Sequence, residues 1–251
     1  MLMISKEQLQ RIAITTGLPL YQQEKDYLLK LFLYFYYKHF KDALFKGGTC
    51  LKYMHNLDRF SEDLDFNIKR PALFQEQVRE SMKQFEKIGI DYFFIKEELF
   101  EDSYTCEIGF HGPLYAGNSQ TQNKFRIDAG YRTGTFKKAE WRLIKSEYPE
   151  TEEHFLIFIM NEEEIFIEKI LTLFSRKKGR DLFDVWHLMN KEIKFDKKLL
   201  TKKSKIEKIE INFNNLISKK EYERDMFRLT SRVLPYEQVK KDVEEYLKKK
   251  I

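Results

Sequence analysis

Cysteine is scarce in this 251-residue chain. The two present, Cys50 and Cys106, sit in dissimilar contexts, with neither a C-x-x-C pair nor a Cys/His ligand spacing. The pattern supports neither a disulfide framework nor a zinc centre, and both thiols are expected to be reduced and buried. Long apolar runs are missing too: no stretch of about 18 uncharged apolar residues occurs. The opening MLMISKEQLQ lacks the basic start and apolar stretch of a secretory signal. The expectation is a soluble, cytoplasmic protein with no membrane partner. No internal repeat or low-complexity linker interrupts the chain, so any domain boundary should be a change of structure type and not a flexible joint.

What is there begins with a hydrophobic content of 42%, enough for a real core in one large domain or two small ones. The net charge of +5 is unevenly placed. Residues 191–251 carry 18 Lys and Arg against 11 Asp and Glu, a net of +7, which leaves −2 for residues 1–190. A basic tail region on a near-neutral body suits a polyanionic partner such as RNA. A solvated, lysine-rich helical surface would give the same count.

The hydrophobic period divides the chain. Residues 5–19 read as a short helix ended by Gly17 and Pro19. Residues 22–40 read as a longer one, with Leu28, Leu29, Phe32, Leu33, Tyr36 and Tyr37 at helical spacing. ALF then leads into Lys46-Gly47-Gly48, LKYMH is helical again, and LDFNI has the length and composition of a buried strand. Another helix is expected over about residues 72–88. DYFFIKEEL, SYTCEIGFHGPLY and KFRIDAGYR, separated by the turn-rich AGNSQTQN, predict successive strands of one mostly antiparallel sheet. From residue 161 the helical period returns in NEEEIFIEKILTLFSR; a second helix runs from about Asp181 to Asn190, and two or three amphipathic helices fill the rest. The fold class is therefore α+β: a mixed sheet flanked by helices over residues 1–160, and a helical part over residues 161–251.

Chemistry concentrates in FKGGTCLKYMHNLDRFSEDLDF, residues 45–66. A strand has a side-chain period of two, so Asp63 and Asp65 share one face while Leu64 and Phe66 take the other. Paired carboxylates raise each other's pKa unless a cation neutralises them, and hard oxygen ligands suit magnesium bound jointly with phosphates. Alone, such a pair also reads as two solvated residues at a strand edge. Gly47-Gly48-Thr49 adds backbone N–H groups and a hydroxyl at a helix start, an anion cradle. It is no Walker loop, since the G-K-[ST] ending is absent, and alone it reads as a turn. The combination, with thirteen residues between the halves, is narrower than either. Asp128 in KFRIDAG completes a triad if its strand lies beside the first; three carboxylates would suit the two ions of a phosphoryl or nucleotidyl displacement. Lys169 borders the apolar face of its helix, where it would either snorkel to the surface or point a charge into a cleft. In Gly179-Arg180-Asp181-Leu182-Phe183-Asp184 the acids are explicable as helix-start chemistry or as function.

Taken together KGGT, RFSEDLDF, FRID and EKILTLFSRKKGRDLFDVWHL, in that order, resemble the AbiEii/MenT nucleotidyltransferase-like toxin family, a branch of the polymerase β nucleotidyltransferase superfamily. The likeness includes the helical lead-in with Glu24-Lys25-Asp26-Tyr27 and spans nearly the whole chain. It implies a nucleotidyltransferase-type mixed sheet bearing Asp63, Asp65 and Asp128 as a Mg²⁺ triad, with Lys169 and Asp181 required for activity and Lys169 facing nucleotide phosphates. Lys46, Gly47, Gly48, Thr49, Arg59, Ser61, Lys169 and Arg180 become the expected nucleotide-binding set. Cys50 stands where alanine commonly follows the G-G-T. Ser61 lies where some relatives are phosphorylated, and here it also reads as a strand-start hydroxyl.

The resemblance implies a toxin of a toxin–antitoxin pair, with a cognate antitoxin as partner. Such a toxin would transfer a nucleotide from an NTP, GTP or CTP foremost, to an acceptor, with tRNA or another RNA expected. A small-molecule nucleotidyltransferase of the antibiotic-modifying type would use the same triad. A non-catalytic nucleotide- or RNA-binding protein of this fold is the remaining alternative, since fold does not fix function.

Overall fold

The structure, a computed structural model, describes residues 2–131, 134–230 and 232–251. The chain divides into two compact units. The first comprises Met1–Cys50, Glu62–Arg132 and Glu140–Ile159, and the second comprises Leu51–Ser61, Thr133–Ala139 and Met160–Ile251.

The elements that build the first unit follow the periodicity of the chain. Helix α1 (Lys6–Thr16) starts at a capping box in which Ser5 and Gln8 satisfy each other's backbone N–H, and it stops at Gly17, whose φ of 73° suits a left-handed cap. Helix α2 (Leu20–His39) follows, then strand β1 (Leu44–Lys46), helix α3 (Gly47–His55) and strand β2 (Asp63–Asn67). Helix α4 (Pro71–Lys87) opens on a proline, which has no N–H to leave unsatisfied in the first turn. Strands β3 (Asp91–Leu99), β4 (Ser103–His111), β5 (Asn123–Gly130), β6 (Glu140–Lys145) and β7 (His154–Ile159) complete a seven-stranded sheet.

The sheet order is β3-β4-β5-β2-β1-β7-β6. The expected antiparallel meander is present as β3-β4-β5, but β5 joins β2 in parallel and β1 joins β7 in parallel. The sheet is thus mixed at its centre, where parallel pairing requires long crossovers. The β6-β7 hairpin was not among the expected strands. HFLIFI is an unbroken apolar run that fits a buried helix segment as well as a strand. Its pairing with β1 at Phe45↔Ile159, across more than a hundred residues, selects the strand.

One sheet face is packed by α2 and α4 through aromatic rings. Phe32 lies 6.4 Å from Phe66 and 5.9 Å from Phe125, and Tyr36 lies 5.9 Å from Phe66 and 5.6 Å from Phe74, ring centre to ring centre. Phe66 is fully enclosed by these contacts, so Phe66→Ala should cost about 3–5 kcal/mol. The first turns of α2 are buried as well, although they are polar. Glu24 accepts hydrogen bonds from the Leu114 N–H (2.7 Å) and the Asn123 side-chain amide (2.9 Å). Tyr27 donates to Glu150 (2.7 Å), and Tyr148 donates to Asp26 (2.9 Å). Burial pushes the Glu24 carboxyl up, and the two hydrogen bonds offset only part of that rise.

The second unit is helical. Helix α5 (Glu162–Ser175) is capped by Asn161, which accepts from the Glu163 N–H, and carries three glutamates in its first turn, where the helix dipole favours negative charge. Helices α6 (Gly179–Met189), α7 (Lys197–Glu207), α8 (Lys219–Phe227) and α9 (Tyr236–Lys250) follow. Lys203 of α7 is fully buried yet paired, at 2.8 Å from Glu164 and 2.7 Å from Glu168. The same Glu164 accepts from the N–H groups of Phe136 and Lys137, which pins that short segment against α5. Among the described residues no helix is long and apolar enough to cross a membrane.

Candidate active site

On the sheet face opposite the aromatic core, register brings the predicted acids together. In the parallel β2-β5 pair, Asp63 stands beside Arg126 and Asp65 beside Asp128. Registered neighbours in a sheet share a face, so Asp63, Asp65, Arg126 and Asp128 form a two-by-two block on adjacent strands. Lys46 of β1 is registered with Asp65 on its other side, and Thr105 of β4 with Asp128. A row Lys46, Asp65, Asp128, Thr105 therefore crosses four strands. The alternation that buries Leu64, Phe66, Phe125 and Ile127 below leaves the acids half-buried above.

The glycines have a local geometric reason. Gly47 has a φ of +78°, and a Cβ built on it would fall on the Asp65 carboxylate, well inside contact distance. Only glycine lets the backbone at the start of α3 pass this close beneath the acid. Gly48 is buried in the first turn of α3. Thr49 is also buried, and its hydroxyl donates to the Asp63 carbonyl (2.6 Å), tying α3 to the first residue of β2.

Asp128 is held by its neighbours. Its Oδ1 accepts from the Thr105 hydroxyl (2.8 Å) and the Arg126 Nε (3.0 Å), and Arg126 closes an ion pair on the same oxygen at 2.8 Å through a terminal nitrogen. Among the described residues, no group of three or more His, Cys, Asp or Glu side chains is gathered closely enough to hold a metal ion. In donor type the block fits magnesium, with three hard carboxylates on one sheet face. In present placement the third carboxylate is engaged by Arg126 and Thr105.

The remaining predicted residues lie in the second unit, where Arg59, Lys169 and Asp181 join a charge network around buried carboxylates. Asp184 is fully buried and takes a bidentate fork from Arg59, with Nε–Oδ1 at 2.6 Å and the second contact at 2.7 Å. Lys169 shares Oδ2 with the second Arg59 contact, also at 2.7 Å. Asp181, also fully buried, takes a second bidentate fork from Arg176, both contacts at 2.7 Å, and lies 4.0 Å from Lys169. Burial pushes the Asp184 carboxyl up, but the charges of Arg59 and Lys169 outweigh it and hold the group well below the usual carboxylate range. Arg59 gives its third nitrogen to the Phe60 carbonyl (2.9 Å), so its guanidinium is fully engaged within this network. Arg180 is half-buried on α6, and Ser61 is half-buried two residues ahead of Asp63.

The acids of the sheet were expected, Asp128 on condition that its strand lies beside the first, and the parallel β2-β5 register meets that condition; Asp184 as the hub of the second network was not expected. Its position three residues after Asp181 puts both on one face of α6, the one signal the spacing offers. Arg126 and Thr105 as partners of Asp128 were also not foreseen, although the Phe125, Arg126, Ile127, Asp128 alternation places Arg126 on the correct face.

With this geometry in view, comparison with known proteins defines the class. The family model of the nucleotidyl transferase AbiEii toxins, described as belonging to type IV toxin–antitoxin systems, matches residues 33–249. The chain belongs to this family and is a nucleotidyltransferase. Membership implies a nucleotide substrate and an antitoxin partner. Among solved structures, MenT4, a nucleotidyltransferase toxin of Mycobacterium tuberculosis, is similar with a TM-score of 0.70 at 16% identity, covering 96% of this chain and 88% of its own. JHP933 from Helicobacter pylori is similar with a TM-score of 0.57 at 19% identity, covering 91% of this chain and 94% of its own. At such identities these two likenesses establish the shared α+β fold. No curated protein matches the chain by sequence.

Proposed function

We propose that this nucleotidyltransferase moves a nucleotide from an NTP, GTP or CTP foremost, onto the end of an RNA, with tRNA the first acceptor to test. It would act in the cytoplasm under the control of a cognate antitoxin. The observation that carries the reading is the register of β2 with β5, which sets Asp65 beside Asp128 and Asp63 two residues away on the same face. Asp63, Asp65 and Asp128 would hold Mg²⁺; when bound, the ion supplies charge neutralisation at the transferring phosphate.

The chain's own groups do the rest. Backbone N–H groups at the start of α3, from Gly47, Gly48 and Thr49, suit phosphate oxygens, and Lys46, registered with Asp65, adds a cation to the same row. Asp128 is suited to accept the proton of the acceptor hydroxyl. Lys169, Asp181 and Arg180 are proposed as the charged residues of the second unit on which transfer depends. Residues 1–160 would supply the transfer chemistry. Residues 161–251, with a net of +7 over residues 191–251 and the interspersed aromatics Phe195, Phe213, Tyr222 and Phe227, would supply acceptor recognition.

The test is incubation of the purified chain with each labelled NTP and total RNA, with magnesium present or chelated. Magnesium-dependent labelling of RNA by one nucleotide is expected. Label appearing only on a small molecule would replace the acceptor, and bound nucleotide with no product would replace catalysis by binding.

A further inference from the structure

Arg126 occupies an unusual position for a cation beside acids expected to bind metal. It follows Asp63 in register on one side and Glu107 on the other, and it clasps Asp128 two residues along its own strand. Asp63 and Glu107 are thus its cross-strand neighbours on the same sheet face, Glu107 being itself paired with Lys124 at 2.9 Å, and Asp128 is the carboxylate it contacts. All three donors received by Asp128, two from Arg126 and one from Thr105, converge on Oδ1. The pair is accessible, with side-chain exposures of 54% for Arg126 and 40% for Asp128. An ion pair this open is exchangeable, and its net strength is small.

We infer that Arg126 is a displaceable resident counter-ion of the carboxylate triad. It holds Asp128 and offsets the mutual repulsion of the acids until the divalent cation and triphosphate arrive, and it then turns to the substrate's negative charge. The physical argument is competition for one oxygen. A divalent ion with its hard preference for carboxylate replaces a singly charged guanidinium on Asp128, and the released guanidinium remains on the same face, within reach of phosphates, for which its planar fork is suited. Thr105 stays on Oδ1 and fixes the carboxylate's rotation during the exchange. Arg126 is thus a positioning residue for the ion and a binding residue for the nucleotide. The inference rests on the proposed metal-assisted transfer at this site.

The two roles predict effects of opposite sign. Mn²⁺ alone, titrated into the purified full chain and followed by the loss of its free-ion electron paramagnetic resonance signal, should bind Arg126→Gln about two- to five-fold more tightly than the unaltered protein. That range is what loss of an exposed competing ion pair supports. GTP and CTP, titrated at saturating Mn²⁺, should bind Arg126→Gln more weakly by a similar factor. Arg126→Lys should restore part of both values. A variant that merely disturbed the sheet would weaken both ligands and lower the unfolding midpoint, which is read on the same samples. Equal Mn²⁺ affinity in the two proteins, with binding abolished by Asp65→Asn, would overturn the counter-ion role while leaving the metal site standing. No Mn²⁺ binding to either protein would overturn this inference and the metal-assisted reading together.

Discussion

The two units handle closely spaced aspartates in opposite ways. On β2 of the first unit, Asp63 and Asp65 are two apart, a spacing that places them on one strand face, half-buried and open to exchange. On α6 of the second, Asp181 and Asp184 are three apart, a spacing that places them on one helix face, fully buried and neutralised by Arg59, Lys169 and Arg176. Short-range spacing tells which acids share a face; what lies over that face decides whether they stay open to exchange or are locked into a buried charge network. Removing a partner from a buried pair leaves an uncompensated charge, whereas an exposed acid returns to water at little cost.

The sharpest way to break the comparison is Asp184→Ala. It would leave the Arg59 guanidinium and the Lys169 ammonium buried without their shared partner, and a loss of about 3–5 kcal/mol is expected in urea unfolding. Acid should reach the same network late. The folded-state pKa of Asp184 lies below its ordinary value, so the stability it contributes is fully present above that ordinary value and is lost only as pH falls through the depressed one. Unfolding curves should therefore show no loss from this group across neutral and mildly acidic pH. Gly47→Ala should act next in size, at about 1–3 kcal/mol, because it joins left-handed backbone strain to a clash with Asp65. A fully stable Gly47→Ala protein would show that the close approach at this point is not rigid. The smallest effect on stability is expected at the acids themselves: Asp63→Ala and Asp65→Ala should stay within about 1 kcal/mol of the unaltered protein while abolishing nucleotide transfer. Unchanged transfer by Asp65→Ala would remove it from the site.

Much of this was legible in the chain. The two-residue period of DLDFN put Asp63 and Asp65 on one strand face, that of KFRID put Asp128 on the polar face of its own strand, and the acidic first turn after Asn161 marked the start of α5. What was not legible depends on pairing over distance. Nothing local in KFRID says that it lies parallel to LDFNI with Asp65 opposite Asp128, nor that Arg126 reaches back to Asp128. The burial of Gln23, Glu24, Lys25 and Asp26 likewise contradicts their polarity. It becomes intelligible once Leu114, Asn123 and Tyr148, each about a hundred residues on, bond Gln23, Glu24 and Asp26, and Glu62 pairs with Lys25.

The parallel pairing of β2 with β5 also sets a schedule for synthesis. When the ribosome has made β2 (Asp63–Asn67), the strand that will carry Asp128 does not yet exist, and β4 and the loop after it must emerge before β5 can be laid down beside it. The strand that flanks β1 on its far side, β7, comes later still. Such long-range closure is slow and comes late on a growing chain. Nascent fragments ending before Asn123 lack the assembled acid block altogether. An incomplete copy of this chain, still attached to the ribosome, therefore has β2 without the partner strand that completes its acid block.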